Sequence, residues 1–182
     1  MTNSNKDFLD VKNISFKDTN FWLILLFFSL FMMGTALFYQ YDLGYEPCVL
    51  CVHIRAWIIA LGAISCVALL IPHDFVRTPS FLIGAALLLF LSLDVFELWQ
   101  IEAGYKMGSC SWSAGFPEFM PLNEWAPLLF EIGGICGESP DMLFGISMAE
   151  YLMAFLVGLI VFFGLSLVIA IRRKFLKLTE AH

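Results

Sequence analysis

Two cysteines three positions apart, in Pro47-Cys48-Val49-Leu50-Cys51, are followed four residues later by Arg55. The pair stands where the chain enters a long apolar run, which places it at a helix N-terminus. Free N–H groups and the helix dipole stabilise a thiolate there, and the thiolate is the form that attacks disulfides. On a helix Cys48, Cys51 and Arg55 fall at i, i+3 and i+7, so they share one face with the guanidinium about one turn deeper. The chemistry this suits is thiol–disulfide exchange beside a fixed positive charge. An arginine inside an apolar run is costly, so it either snorkels outward or faces a functional group. Next to a reactive dithiol it suits a polar quinone head group, because it would stabilise a carbonyl oxygen that takes on negative charge during reduction.

A second pair, Cys110 and Cys136, is separated by 26 positions. It reads either as a structural disulfide or as a partner for exchange, since thiolate attack moves oxidation from one pair to another. Between the two lies the stretch from Phe116 to Phe130, FPEFMPLNEWAPLLF, which is too broken by proline to cross a membrane. Its apolar residues, with Glu118, Glu124 and Glu131 interspersed, read as a short segment lying on the membrane interface.

The elements that must position these groups follow from composition. Of the 182 residues 60% are hydrophobic, and the mean hydropathy is +0.82, so lipid is the main solvent. Four stretches of about 20 residues are long enough to cross hydrocarbon at 1.5 Å per residue: Phe21–Gln40, Val52–Ile71, Ser80–Ile101 and Ala149–Ile171. They lack the alternation of barrel strands, and in lipid every backbone polar group needs an internal partner, so they are helices. The expected fold is an all-α membrane protein, a four-transmembrane-helix bundle forming a single domain over residues 1–182. The first span is too long for the h-region of a cleaved signal and follows about 20 polar residues, so it reads as a retained anchor.

Orientation follows from Lys and Arg rather than from the net charge of −6. Lys6, Lys12 and Lys17 precede span 1, Arg77 lies between spans 2 and 3, and Arg172, Arg173, Lys174 and Lys177 follow span 4. Lys106 is the only Lys or Arg between Glu102 and Met148. The positive-inside rule puts both tails, 1–20 and 172–182, in the cytoplasm and loops 41–51 and 102–148 outside. Four of the five cysteines then face the side where disulfides persist.

The ordered set of motifs resembles the DsbB family of bacterial disulfide bond formation proteins, from about residue 20 to 170. It comprises Pro47-Cys48-Val49-Leu50-Cys51 with Arg55, Cys110, Phe116-Pro117-Glu118, Pro121-Leu122-Asn123-Glu124-Trp125-Ala126-Pro127 and Cys136. The resemblance implies a protein-disulfide:quinone oxidoreductase of the inner membrane. By it, Cys110 would be attacked by a reduced DsbA-like periplasmic thiol oxidase, with Cys136 as its partner. Electrons would pass to Cys48 and Cys51, and from Cys51, the sulfur nearer Arg55, to ubiquinone or menaquinone as an adduct or charge-transfer contact. A dedicated DsbI-type partner is an alternative. Some members carry a His near the outer end of the third span; here Asp94 to Glu102 contains none, so no role passes to that position.

Other residues carry weaker signals. Asp94 and Glu97 are a possible proton relay but read better as interfacial acids. Cys66, in the middle of span 2, reads as an inert packing thiol. Gly62, Gly84 and Gly158 suit close helix contacts. His53 reads as a solvated interfacial side chain, with tuning of the thiols as the alternative. Asp42, Glu46, Glu102, Glu118, Glu124, Glu131, Glu138 and Asp141 make the outward face acidic, which suits either a solvated surface or electrostatic steering of a partner. Three rival functions remain open from the residues alone. They are a zinc site on Cys48, Cys51, Cys110 and Cys136, a scaffold with static disulfides, and a vitamin K epoxide reductase-like enzyme.

Overall fold

Apolar runs of this length have no stable alternative to helix, and the computed structural model describes them so over residues 15–106, 115–116, 121–134 and 145–180. Four long helices form: α1 (Thr19–Tyr41), α2 (Val49–Leu70), α3 (Asp74–Glu102) and α6 (Met148–Glu180). Each has an apolar stretch long enough to span a bilayer. Two single-turn helices, α4 (Leu122–Trp125) and α5 (Pro127–Phe130), lie between α3 and α6. Pro121 and Pro127 punctuate them, as the proline-broken stretch led one to expect. Cys110 and Cys136 lie outside the described residues, as do the tail before Ser15 and residues 117–120.

The helices pack in the order α1, α2, α3, α6, and their shared core holds Trp22, Leu25, Leu61, Leu91, Val95 and Leu98. Close approach of α1 and α2 rests on Gly62, where a Cβ would sit 3.2 Å from the Cβ of Ser29. Gly84 meets the ring of Phe163 in the same way, at 3.4 Å. Gly158 does not follow this pattern: a Cβ there meets nothing within 4 Å. Its glycine is on the exposed, lipid-facing side of α6. Buried hydroxyls return to their own helices, Ser29 to Leu25 O at 3.0 Å and Ser65 to Leu61 O at 2.8 Å. Each of these two hydroxyls thereby avoids standing unpaired in an apolar bundle.

At the end far from the cysteines, α3 begins at Asp74, earlier than the apolar run, and takes Pro79 into its second turn. Arg77 therefore belongs to a helix rather than to a loop. It is buried under the segment preceding α1, donating to Lys17 O, to Thr19 Oγ1 at 2.9 Å and to Ala68 O at 3.4 Å. Phe16 stacks on Phe81 with centroids 4.5 Å apart, and Trp22 Nε1 donates to Phe16 O at 2.7 Å. Arg173 closes the same end by pairing with Asp18 at 2.8 Å. One guanidinium thus ties three chain segments. Arg77→Met is expected to lower the thermal unfolding temperature in detergent by several degrees, because each buried acceptor left without a donor costs about 1–3 kcal/mol. Activity per folded molecule should be unchanged.

Candidate active site

Cys48 is the N-cap of α2: its backbone is extended and its sulfur accepts the N–H of Cys51 at 3.3 Å. Pro47 just before it disfavours helical backbone at Glu46, so the helix does not run back into the connection, and the sulfur of Cys48 takes the capping position. The two sulfurs are 2.6 Å apart. They differ in surroundings. Cys48 is buried, 4% exposed, beneath the connection from α1, whereas Cys51 lies half-buried on the inner face of α2 and lines a cavity.

Arg55 stands one turn deeper and is 5% exposed. It does not snorkel. Nη1 donates to Gln40 Oε1 at 2.5 Å and to Leu129 O at 3.2 Å, and Nη2 donates to Ala36 O at 3.3 Å. A guanidinium has five N–H donors. These three bonds leave the Nε–H and one Nη2–H for a ligand. Among the described residues no carboxylate pairs with Arg55.

The cavity beside Cys51 and Arg55 has a volume of about 650 Å³ and lies between α1, α2 and the start of α6. Its walls include Phe31, Met32, Ile54, Ile58, Leu152 and Phe155. Phe28 stacks on Phe155 with centroids 3.8 Å apart, and Phe21 stacks on Phe162 at 4.7 Å, so aromatic pairs seal the seam of α1 and α6. An apolar slot of ligand-binding size, with a dithiol and a cation on one wall, fits a flat ring bearing carbonyl oxygens on an apolar tail.

The segment from Ala126 to Gly134 covers this end of the bundle. Tyr41 donates its hydroxyl to Leu128 O at 2.7 Å, and the N–H groups of Gly133 and Gly134 both point to Pro47 O, at 3.3 and 3.2 Å. Phe130 is buried, edge-on to Phe116, which in turn contacts the ring of His53 at 5.2 Å. His53 is therefore roofed by the loop. The glycine pair is required by proximity: a Cβ on Gly134 would collide with the Glu46 carbonyl oxygen, and one on Gly133 with the Glu46 carboxylate. Gly134→Ala is expected to undock the segment. Losing the bonds to Pro47 costs about 1–3 kcal/mol, so proteolytic cleavage between residues 126 and 134 should quicken about tenfold or more.

The two acids of α3 are separated in their contacts. Asp94 accepts Trp57 Nε1 at 2.7 Å, and Glu97 pairs with Lys106. Neither lines the cavity. Gln40 is the residue that the sequence did not single out. At the end of an apolar run it looks like any interfacial amide, and only its place opposite Arg55 distinguishes it.

The family model for "Disulfide bond formation protein DsbB" matches residues 18–166. A disulfide bond formation protein B of Haemophilus influenzae is 37% identical over 139 residues, covering 72% of this chain and 76% of the relative. Disulfide bond formation protein B 2 of Pseudomonas aeruginosa is 34% identical over 143 residues, with 75% and 83% covered. A third, from Vibrio parahaemolyticus, is 28% identical over 140 residues. Family membership decides against the static scaffold and the zinc site as the chain's main role. With four membrane-length helices and a dithiol at the head of the second, the chain belongs to the DsbB family and is a membrane-embedded oxidoreductase of disulfide bond formation.

Proposed function

We infer that the chain lies in the bacterial inner membrane with both termini in the cytoplasm and the cysteine end facing the periplasm, and that it passes electrons from a DsbA-like thiol oxidase to a membrane quinone. The observation that carries this reading is the cavity wall itself, where Cys51 stands beside an Arg55 held at three points by neutral acceptors. The asymmetry of Lys and Arg supports the orientation.

In this reading Cys110 and Cys136 receive the electrons. A thiolate of the reduced oxidase attacks the Cys110–Cys136 disulfide, forming a mixed disulfide at Cys110 and releasing Cys136 as a thiolate. The oxidase's second thiol then resolves the mixed disulfide, so the oxidase leaves as a disulfide and the loop pair holds two electrons. Exchange with the Cys48–Cys51 disulfide returns the loop pair to its oxidised state and leaves Cys48 and Cys51 as thiols. Cys48 suits the exchange, since it follows Pro47, on which the covering segment docks. Cys51 suits delivery, since it lines the cavity.

A bound quinone would supply a two-electron, two-proton acceptor. The protein's part is to bring Cys51 against the ring, close the Cys48–Cys51 disulfide as two electrons and two protons depart, and hold Arg55 where negative charge gathers on a ring oxygen. Preorganised donors in a water-poor site are worth far more than in water. The apolar walls exclude water and admit a lipid-soluble substrate sideways from the bilayer.

The test is turnover by purified protein supplied with a reduced DsbA-type oxidase and a short-chain quinone. Loss of oxidase thiols matched by quinol supports the reading. Thiol loss without quinol, or neither, rejects it.

A further inference from the structure

We propose that Gln40 is a positioning residue for the reaction, holding the Arg55 guanidinium by a neutral acceptor so that its whole positive charge remains available to the Cys51 sulfur and to the ring oxygen. The proposal rests on the reading of the cavity as the quinone site. Arg55 is buried and bonded at three points, and two of them are backbone carbonyls, Ala36 O and Leu129 O. Gln40 is the side-chain contact, at 2.5 Å. Because arginine only donates, the amide must present its oxygen, which fixes the Gln40 orientation without ambiguity.

The identity of the acceptor matters as much as its position. A carboxylate in this place would bind more tightly and would form an ion pair, spending the field of the guanidinium on the protein itself. Elsewhere the chain does pair cations with carboxylates, as in Arg173 with Asp18 and Lys17 with Asp74. Those contacts lie at the opposite end of the bundle. At the cavity the acceptors that hold Arg55 are all neutral, and among the described residues no carboxylate pairs with it. Ala36 and Gln40 lie one turn apart on α1, so the same helix face offers a carbonyl and an amide to the two guanidinium nitrogens. The guanidinium plane is thereby set relative to α1, which also forms a cavity wall.

Two substitutions separate position from charge. Gln40→Met keeps the length and the neutrality but removes the acceptor. Gln40→Glu keeps an acceptor and adds a negative charge. Each is measured in two ways: KM and kcat for a short-chain quinone, and the pH midpoint for alkylation of Cys51 in full-length protein in which the other four cysteines are replaced. Gln40→Met is expected to raise KM about tenfold with a small change in kcat, and to leave the alkylation midpoint where it was. Gln40→Glu is expected to lower kcat about tenfold or more and to move the midpoint up by about one pH unit, because an added anion disfavours the thiolate. A mere structural tether predicts the reverse order, with Glu harmless and Met damaging. That order, or wild-type values in both variants, overturns the proposal. Failure of the wild type to reduce quinone overturns the proposed function; the alkylation midpoint involves no quinone and still upholds or refutes the hold of Gln40 on the guanidinium charge.

Discussion

Cys51→Ser is expected to bring quinone reduction down to the rate of protein-free controls while the purified protein keeps its helical content and its unfolding temperature. Serine matches the size of the thiol, so packing on the cavity wall is conserved. Its oxygen cannot close a disulfide with Cys48, so the two electrons held by the pair have no route out. The two sulfurs stand 2.6 Å apart, so loss of either leaves the other without its partner. Cys66→Ser is the internal control. Cys66 lies 15 residues further along α2, about 22 Å at 1.5 Å rise per residue, and does not line the cavity. Quinol formation, followed by absorbance, should be lost in the first variant and retained in the second. Activity surviving Cys51→Ser would mean that another thiol reaches the acceptor.

Arg55→Met is the second large effect. Removing a single preorganised donor from a site of developing negative charge costs about 10²–10³ in turnover. A comparable loss is expected in kcat/KM for quinone. The same change strips the donor from Gln40 Oε1, Ala36 O and Leu129 O, so a drop in unfolding temperature accompanies it. Arg55→Lys separates the two consequences. An ammonium keeps the charge but is a point donor on a shorter reach and cannot serve three acceptors on two elements. It should restore much of the rate and little of the stability. If Arg55 were only a structural tie, activity per folded molecule would be the same in all three proteins.

Much of this was legible before any coordinates. Length and hydropathy give four spans because a bilayer leaves the backbone no other choice, and the helices fall where those runs lie. Pro47 before Cys48 marks the start of α2, and the i, i+3, i+7 spacing puts Cys51 and Arg55 on one face. The direction of Arg55 was not legible. Snorkelling and burial differ only in whether acceptors are waiting, and those acceptors come from Ala36, Gln40 and Leu129, up to 74 residues away in the chain. Arg77 shows the same blindness: a charge next to an apolar run reads as loop, yet three oxygens from neighbouring segments allow it inside α3. Gly158 erred in the other direction, because composition does not say which face of a helix meets lipid. The docking of Gly133 and Gly134 on Pro47 depends on a close approach between distant segments and has no local signature.

In the proposed cycle the Cys48–Cys51 pair gives its electrons directly to quinone. The most direct test uses the Cys110→Ser, Cys136→Ser protein, in which the loop pair cannot take part, with Cys48 and Cys51 chemically reduced and excess reductant removed without oxygen. One equivalent of short-chain quinone is then added. One quinol is expected to form as two thiols disappear, both lost on the Cys48–Cys51 pair as mapped by mass spectrometry of the alkylated protein. Thiols that persist beside unreduced quinone would contradict it.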